Sequence, residues 1–167
     1  VAEAGVRGGL SSFNPQNLTN TVWAYATAGV HADALYAAVA EAAVRGGLSG
    51  CKAQELANTV WAYATAGVRA DALYAAVAEA AVRGGLASFK PQDMANIVWA
   101  YAKAGVAADA LYAAVAEAAV RGRLAGFKPQ ELAITVWAFA TAGVAADALY
   151  AAVAEAAVRG RLAGFKP

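Results

Sequence analysis

Asn58-Thr59-Val60-Trp61-Ala62-Tyr63-Ala64 decides the fold, because the chain repeats this phrase almost unchanged. It recurs at Asn20 to Ala26 and at Asn96 to Ala102, and a variant that opens with isoleucine stands at Ile134 to Ala140. The tryptophans at 23, 61, 99 and 137 are therefore 38 residues apart, and the segments around them align without a gap. Self-similarity at a fixed period of this size marks an array of stacked supersecondary units. The units run 13–50, 51–88, 89–126 and 127–164. Residues 1–12 match the end of a unit (compare Val39 to Gly50) and 165–167 begin another, which reads as a piece cut from a longer array.

Two helical periods are legible inside each unit. Leu18, Val22, Tyr25, Ala26 and Gly29 recur at steps of three and four, which puts them on one face of a helix that starts near Pro15, a residue suited to the first helical turn, and closes at Gly29. Leu35, Val39, Ala42, Ala43 and Gly46 form the stripe of a second helix from about Asp33, stopped by Gly46-Gly47. Each unit is thus helix, tight turn, helix. One such pair cannot bury both its faces, so neighbours must stack. The expected fold is all-α: an α-solenoid of 38-residue helix-turn-helix repeats wound into a superhelix. No polar capping repeat is visible at either terminus, so end-to-end self-association through the apolar ends is a further expectation.

Composition agrees with that fold. The chain has 167 residues, 60% of them hydrophobic, and the excess is alanine, the best helix former and a small side chain that lets helices approach closely. Thirteen basic and twelve acidic side chains leave a formal charge of +1, too little for a diffuse field that holds a polyanion, so a nucleic acid must meet a local patch. The stretch Leu132 to Ala146 is free of charge but falls short of the ~20 apolar residues of a spanning helix, and no membrane partner is expected. Val1 to Arg7 has neither the apolar block of a secretory signal nor the arginine- and serine-rich character of a transit segment.

The second helices carry Glu41 and Arg45, repeated at 79 and 83, 117 and 121, and 155 and 159, with Glu3 and Arg7 in the opening stub. These i,i+4 pairs read as a solvated outer face, with a partner-binding stripe as the alternative. On the first helix, projection at 100° per residue puts Gln16, Asn20, Ala24 and Thr27 away from the stripe, with Asn17 at the edge. Stacking turns these positions into rows: Gln16, Gln54, Gln92, Gln130; Asn20, Asn58, Asn96, Ile134; Asn17, Glu55, Asp93, Glu131; and Thr27, Thr65, Lys103, Thr141. Amides at a fixed pitch are the chemistry needed to read Watson-Crick edges, one base per repeat, because each offers a donor and an acceptor. The same asparagines serve equally as inter-repeat hydrogen bonds that hold register.

Lys52, Lys90, Lys128 and Lys166 precede the first helices, where helix N-termini favour phosphate, although Glu55, Asp93 and Glu131 lie close and simple solubility also accounts for the lysines. The tryptophans either pack between repeats or offer stacking platforms for single-stranded bases.

The phrases Phe89-Lys90-Pro91-Gln92-Asp93-Met94-Ala95-Asn96-Ile97-Val98-Trp99-Ala100-Tyr101-Ala102-Lys103-Ala104-Gly105 and Leu56-Ala57-Asn58-Thr59-Val60-Trp61-Ala62 resemble the octotricopeptide repeat, a 38-residue helical repeat of organellar RNA-binding proteins. The resemblance covers essentially the whole chain. It implies a chloroplast or mitochondrial factor that binds single-stranded RNA and acts in transcript stability, processing or translation. Two features depart from the family picture: the units are unusually alike, which lowers the information an RNA readout can carry, and the net charge is small.

His31 is the one histidine and falls in a turn, so neither a histidine-based triad nor a multi-histidine metal site is expected, and no GxxxxGK[ST] phosphate loop occurs. Cys51, the one cysteine, reads as a small buried apolar side chain. The expectation is a binding scaffold without enzymatic activity, cofactor or metal. A protein-protein or structural scaffold, engineered or natural, is the alternative to RNA binding.

Overall fold

The computed structural model describes residues 9–46 and 48–159, and their regular structure is entirely helical. Eight α-helices follow in pairs: α1 (Pro15–Ala28) and α2 (Asp33–Gly46), α3 (Ala53–Ala66) and α4 (Asp71–Arg83), α5 (Pro91–Ala104) and α6 (Asp109–Arg121), α7 (Pro129–Ala142) and α8 (Asp147–Val158). Short 3₁₀ turns, Leu48–Gly50 and Leu86–Ser88, lead into the second and third pairs.

Local chemistry sets the boundaries. Asn14 caps α1 reciprocally: its Oδ1 accepts the Asn17 N–H at 2.8 Å, and the Asn17 Oδ1 accepts the Asn14 N–H at 3.2 Å. In the later repeats the capping position is lysine, which has no acceptor, so only one half of that box survives: carboxylates of Glu55, Asp93 and Glu131 accept the backbone N–H of Lys52, Lys90 and Lys128. Each first helix ends at a glycine with φ of 65 to 69°, Gly29, Gly67, Gly105 and Gly143, whose left-handed backbone lets its own N–H and that of the following valine return to the last turn.

The helices form two layers, α1-α3-α5-α7 and α2-α4-α6-α8. First helices share a far more extensive seam than second helices do, which makes their layer the tighter, inner side of the array. Small side chains allow it: Ala57, Ala62, Ala95, Ala100 and Ala138 are buried where neighbouring first helices meet. Thr19 and Thr59 hydrogen-bond across the α1–α3 seam at 3.0 Å.

Tyrosines bind the layers together. Tyr36, Tyr74 and Tyr112 of the second helices are fully buried, and their hydroxyls donate to the carbonyls of Val22, Val60 and Val98 in their own repeats at 3.4, 3.3 and 3.1 Å. Tyr63 and Tyr101 of the first helices donate backwards to the carbonyls of Tyr36 and Tyr74 in the preceding repeat, at 2.7 and 2.5 Å. The rings of each junction meet edge to face, with centroids 5.1 Å apart. At the last junction Phe139 holds the same pose against Tyr112, at 4.9 Å, without a hydroxyl.

Two details differ from the sequence reading. The buried stripe of the second helix is Leu35, Tyr36, Val39 and Ala43, whereas Ala42 is half-buried and Gly46 exposed. The second glycine of the Gly-Gly stop has φ of 64° at Gly85, but the same place in the third repeat is Arg123, and Arg123 and Leu124 take φ of 51 and 57° without the freedom of glycine.

Candidate nucleic-acid interface

An interior first helix is buried on three sides, by its own second helix and by both neighbouring first helices, so one narrow strip stays open. Gln54, Asn58, Trp61 and Thr65 form it on α3, at steps of four, three and four residues; Gln92, Asn96, Trp99 and Lys103 form it on α5. The end helices present the same strip: Gln16, Asn20, Trp23 and Thr27 on α1, and Gln130, Ile134, Trp137 and Thr141 on α7. In angular terms the four residues span about 60° of the helix at ~100° per residue.

This corrects the projection made from sequence. Ala24 is open on α1, but its counterparts Ala62, Ala100 and Ala138 are completely buried between helices. Tryptophan takes the place assigned to alanine. A projection assumes one buried face per helix, whereas an interior helix of a solenoid has three. The ring centroids of Trp23 and Trp61 lie 6.4 Å apart, as do those of Trp61 and Trp99, with interplanar angles of 31 and 30°. Trp23 and Trp137, at the ends, are 44% and 47% exposed; Trp61 and Trp99 are half-buried. The row thus packs between repeats and also lies on the open strip.

The row of Asn17, Glu55, Asp93 and Glu131 does not belong to that strip in the same way. Its side chains fold back to cap their own helices, and Asp93 is 7% exposed. A carboxylate held there meets the positive end of the helix dipole, so these groups are helix caps first. Lys52, Lys90 and Lys128 are exposed at the N-terminal edge of the strip. Lys166 lies outside the described residues, as do Glu3 and Arg7.

At the opposite edge Lys103 lines a cavity of about 210 Å³ with Tyr63, Gly67, Arg69 and Asp71, where Arg69 pairs with Asp71 at 3.2 Å. Arg69, not singled out in the sequence, joins Lys103 there because the turn after α3 reaches the end of α5. Its signal was a charged side chain where the other turns carry histidine or alanine.

Asn20, Asn58 and Asn96 make no side-chain hydrogen bond among the described residues, and no buried side-chain polar atom there lacks a partner. Their amides therefore face solvent. Of the two roles open to them from sequence, holding register between repeats falls instead to the Thr19–Thr59 pair and to Tyr63 and Tyr101.

The remaining polar features are exposed or isolated. The pairs Glu41–Arg45, Glu79–Arg83, Glu117–Arg121 and Glu155–Arg159 lie on the outer helices in solvent. His31 is exposed in its turn. Cys51 is half-buried, and burial together with the Glu55 charge pushes its thiol up to about 11, so it stays protonated at neutral pH. Among the described residues no cluster of histidine, cysteine or carboxylate fits a metal ion, and no helix is long and apolar enough to cross a membrane.

Comparison with known proteins adds a family. Residues 38–116 and again 86–167 match the family described as the Tbc2 translation factor, N-terminal domain. Overlapping matches to one description are what a tandem array of near-identical units produces. A short match, residues 6–22, is to a family described as a protein of unknown function. No curated protein matches the sequence. With its two matches together spanning residues 38 to 167, the chain belongs to the family of the Tbc2 translation factor N-terminal domain.

Proposed function

We propose that this array binds single-stranded RNA along the open strip of its first helices, at about one nucleotide per repeat, as a scaffold without catalytic activity of its own. The observation that carries the proposal is the row of solvent-facing, unpartnered amides of Asn20, Asn58 and Asn96 on the inner layer of the solenoid. An amide that nothing in the protein satisfies is free to pair with a base edge, and a rigid helix fixes where it does so. Gln16, Gln54, Gln92 and Gln130 stand one turn away, and Lys52, Lys90 and Lys128 border the strip where a phosphate backbone would run. The family's description as a translation factor agrees with an RNA target, and the resemblance to octotricopeptide repeats points to transcripts of a chloroplast or mitochondrion.

Fluorescence anisotropy against short single-stranded RNAs at low salt tests this. The unmodified chain is expected to bind saturably and to prefer some sequences. Asn58→Ala with Asn96→Ala should flatten that preference while helicity by circular dichroism is unchanged. Absence of saturable binding by the unmodified chain refutes the proposal and leaves a protein-binding scaffold as the better account.

A further inference from the structure

We infer that Trp23, Trp61 and Trp99 form a stacking ladder on which the bases of the bound single strand seat, so that stacking rather than phosphate charge supplies most of the affinity. The inference rests on the RNA reading above and assigns the binding chemistry of the same strip.

The placement is the first argument. An aromatic ring needed only for the core is sunk, as Tyr63 and Tyr101 are on these same helices, at no more than 1% exposure. Trp23, Trp61 and Trp99 lie on the open strip instead, between the asparagine and the threonine or lysine of each helix. Their indole N–H groups make no hydrogen bond among the described residues and are not buried, so the polar tip of each ring faces solvent.

Spacing is the second. Successive rings of Trp23, Trp61 and Trp99 are inclined by about 30° to one another, with centroids 6.4 Å apart. A base laid along the strip therefore has the indoles of two neighbouring repeats within reach, and an asparagine amide three residues back along the same helix to meet its edge.

Charge is the third. The strip offers Lys52, Lys90, Lys128 and Lys103, on a chain whose formal charge is +1. So few cations cannot hold a strand by counterion release alone, whereas base–aromatic stacking tolerates a near-neutral surface.

The test is titration of the whole chain with a uridine octamer and with an abasic ribose-phosphate strand of equal length, read by tryptophan fluorescence and by anisotropy of the labelled strand. The octamer is expected to quench the tryptophans and the abasic strand to bind at least tenfold more weakly. Trp23→Leu, at an exposed end position, should weaken octamer binding on the order of tenfold, and Trp23→Phe should restore most of it. Trp61→Leu is the interior counterpart, with helicity checked by circular dichroism. Equal binding of the octamer by the unmodified chain and by both leucine variants overturns the ladder and leaves RNA binding in place. So does an abasic strand that binds as tightly as the octamer. If no strand binds the unmodified chain, the ladder and the RNA reading fall together.

Discussion

The tyrosine at each junction between repeats supplies a stability prediction with a built-in control. Tyr101 of α5 is buried and donates its hydroxyl to the Tyr74 carbonyl of α4 at 2.5 Å, with its ring edge-on to the Tyr74 ring. Tyr101→Phe removes the hydroxyl and leaves the ring. The Tyr74 carbonyl keeps its partner four residues on in the helix, so no group is orphaned. The loss should therefore be the net worth of one hydrogen bond, about 1 kcal/mol, with no added desolvation penalty. For a chain of this size that corresponds to a fall in Tm of roughly 2–4 °C. The last junction is the natural inverse: Phe139 meets Tyr112 in the same edge-to-face pose, at 4.9 Å and 88°, and lacks the hydroxyl. Phe139→Tyr should then gain a bond to the Tyr112 carbonyl and stabilise by a similar amount. Urea unfolding followed by circular dichroism reads both variants. If Tyr101→Phe is neutral and Phe139→Tyr destabilises, the hydroxyls do not tie repeats together and the reasoning fails.

Arg123→Gly should raise stability by about 1 kcal/mol in the same assay, because Arg123 has φ of 51° where the second repeat has Gly85 at 64°, and left-handed backbone costs a non-glycine residue ~1–2 kcal/mol. Alkali should unfold the array: burial raises the phenol pKa of Tyr63, Tyr74 and Tyr101, and that of Tyr112 to about 12. A raised folded pKa means that this stability is fully present below the unfolded value near pH ~10 and is lost as pH rises through the folded values, by up to ~1.4 kcal/mol per pH unit per group, so Tyr101→Phe should flatten the slope in a pH titration of unfolding. If RNA binds as proposed, phosphate meets the four lysines that border the strip among the described residues, and the log–log dependence of affinity on salt should have a slope of about −3; a slope near −6 would mean that charge, not stacking, holds the strand.

Most of the fold was legible because it rests on signals that act within a few residues. Pro15, Gly29 and the three- and four-residue spacing of Leu18, Val22 and Tyr25 mark a helix whatever surrounds it, and α1 runs from Pro15 to Ala28. What the sequence hid depends on neighbours. Tyr36 falls outside the stripe read from the sequence, and its burial comes from its own first helix, through the Val22 carbonyl, and from the next repeat, which supplies Tyr63. Ala24 and Ala62 are the same residue in the same helical phase, yet one is exposed and the other buried, because burial on that side is a property of the array.

The open strip follows from the same constraint. Three buried sides leave an interior first helix one partly open strip, which holds exposed Gln and Thr or Lys and half-buried Asn and Trp on α3 and α5. Alanine would suffice for helix formation at the polar positions of the strip, as it does on the flanks at Ala57 and Ala62. The half-buried rings pack between repeats, but an amide with no partner adds little to the stability of a helix. Together they give the repeats a continuous surface of aromatic faces and hydrogen-bonding edges at a fixed pitch. The departures then carry meaning of their own: at Ile134 the row loses its amide, so a base seated on the fourth repeat meets an apolar edge and should be discriminated least.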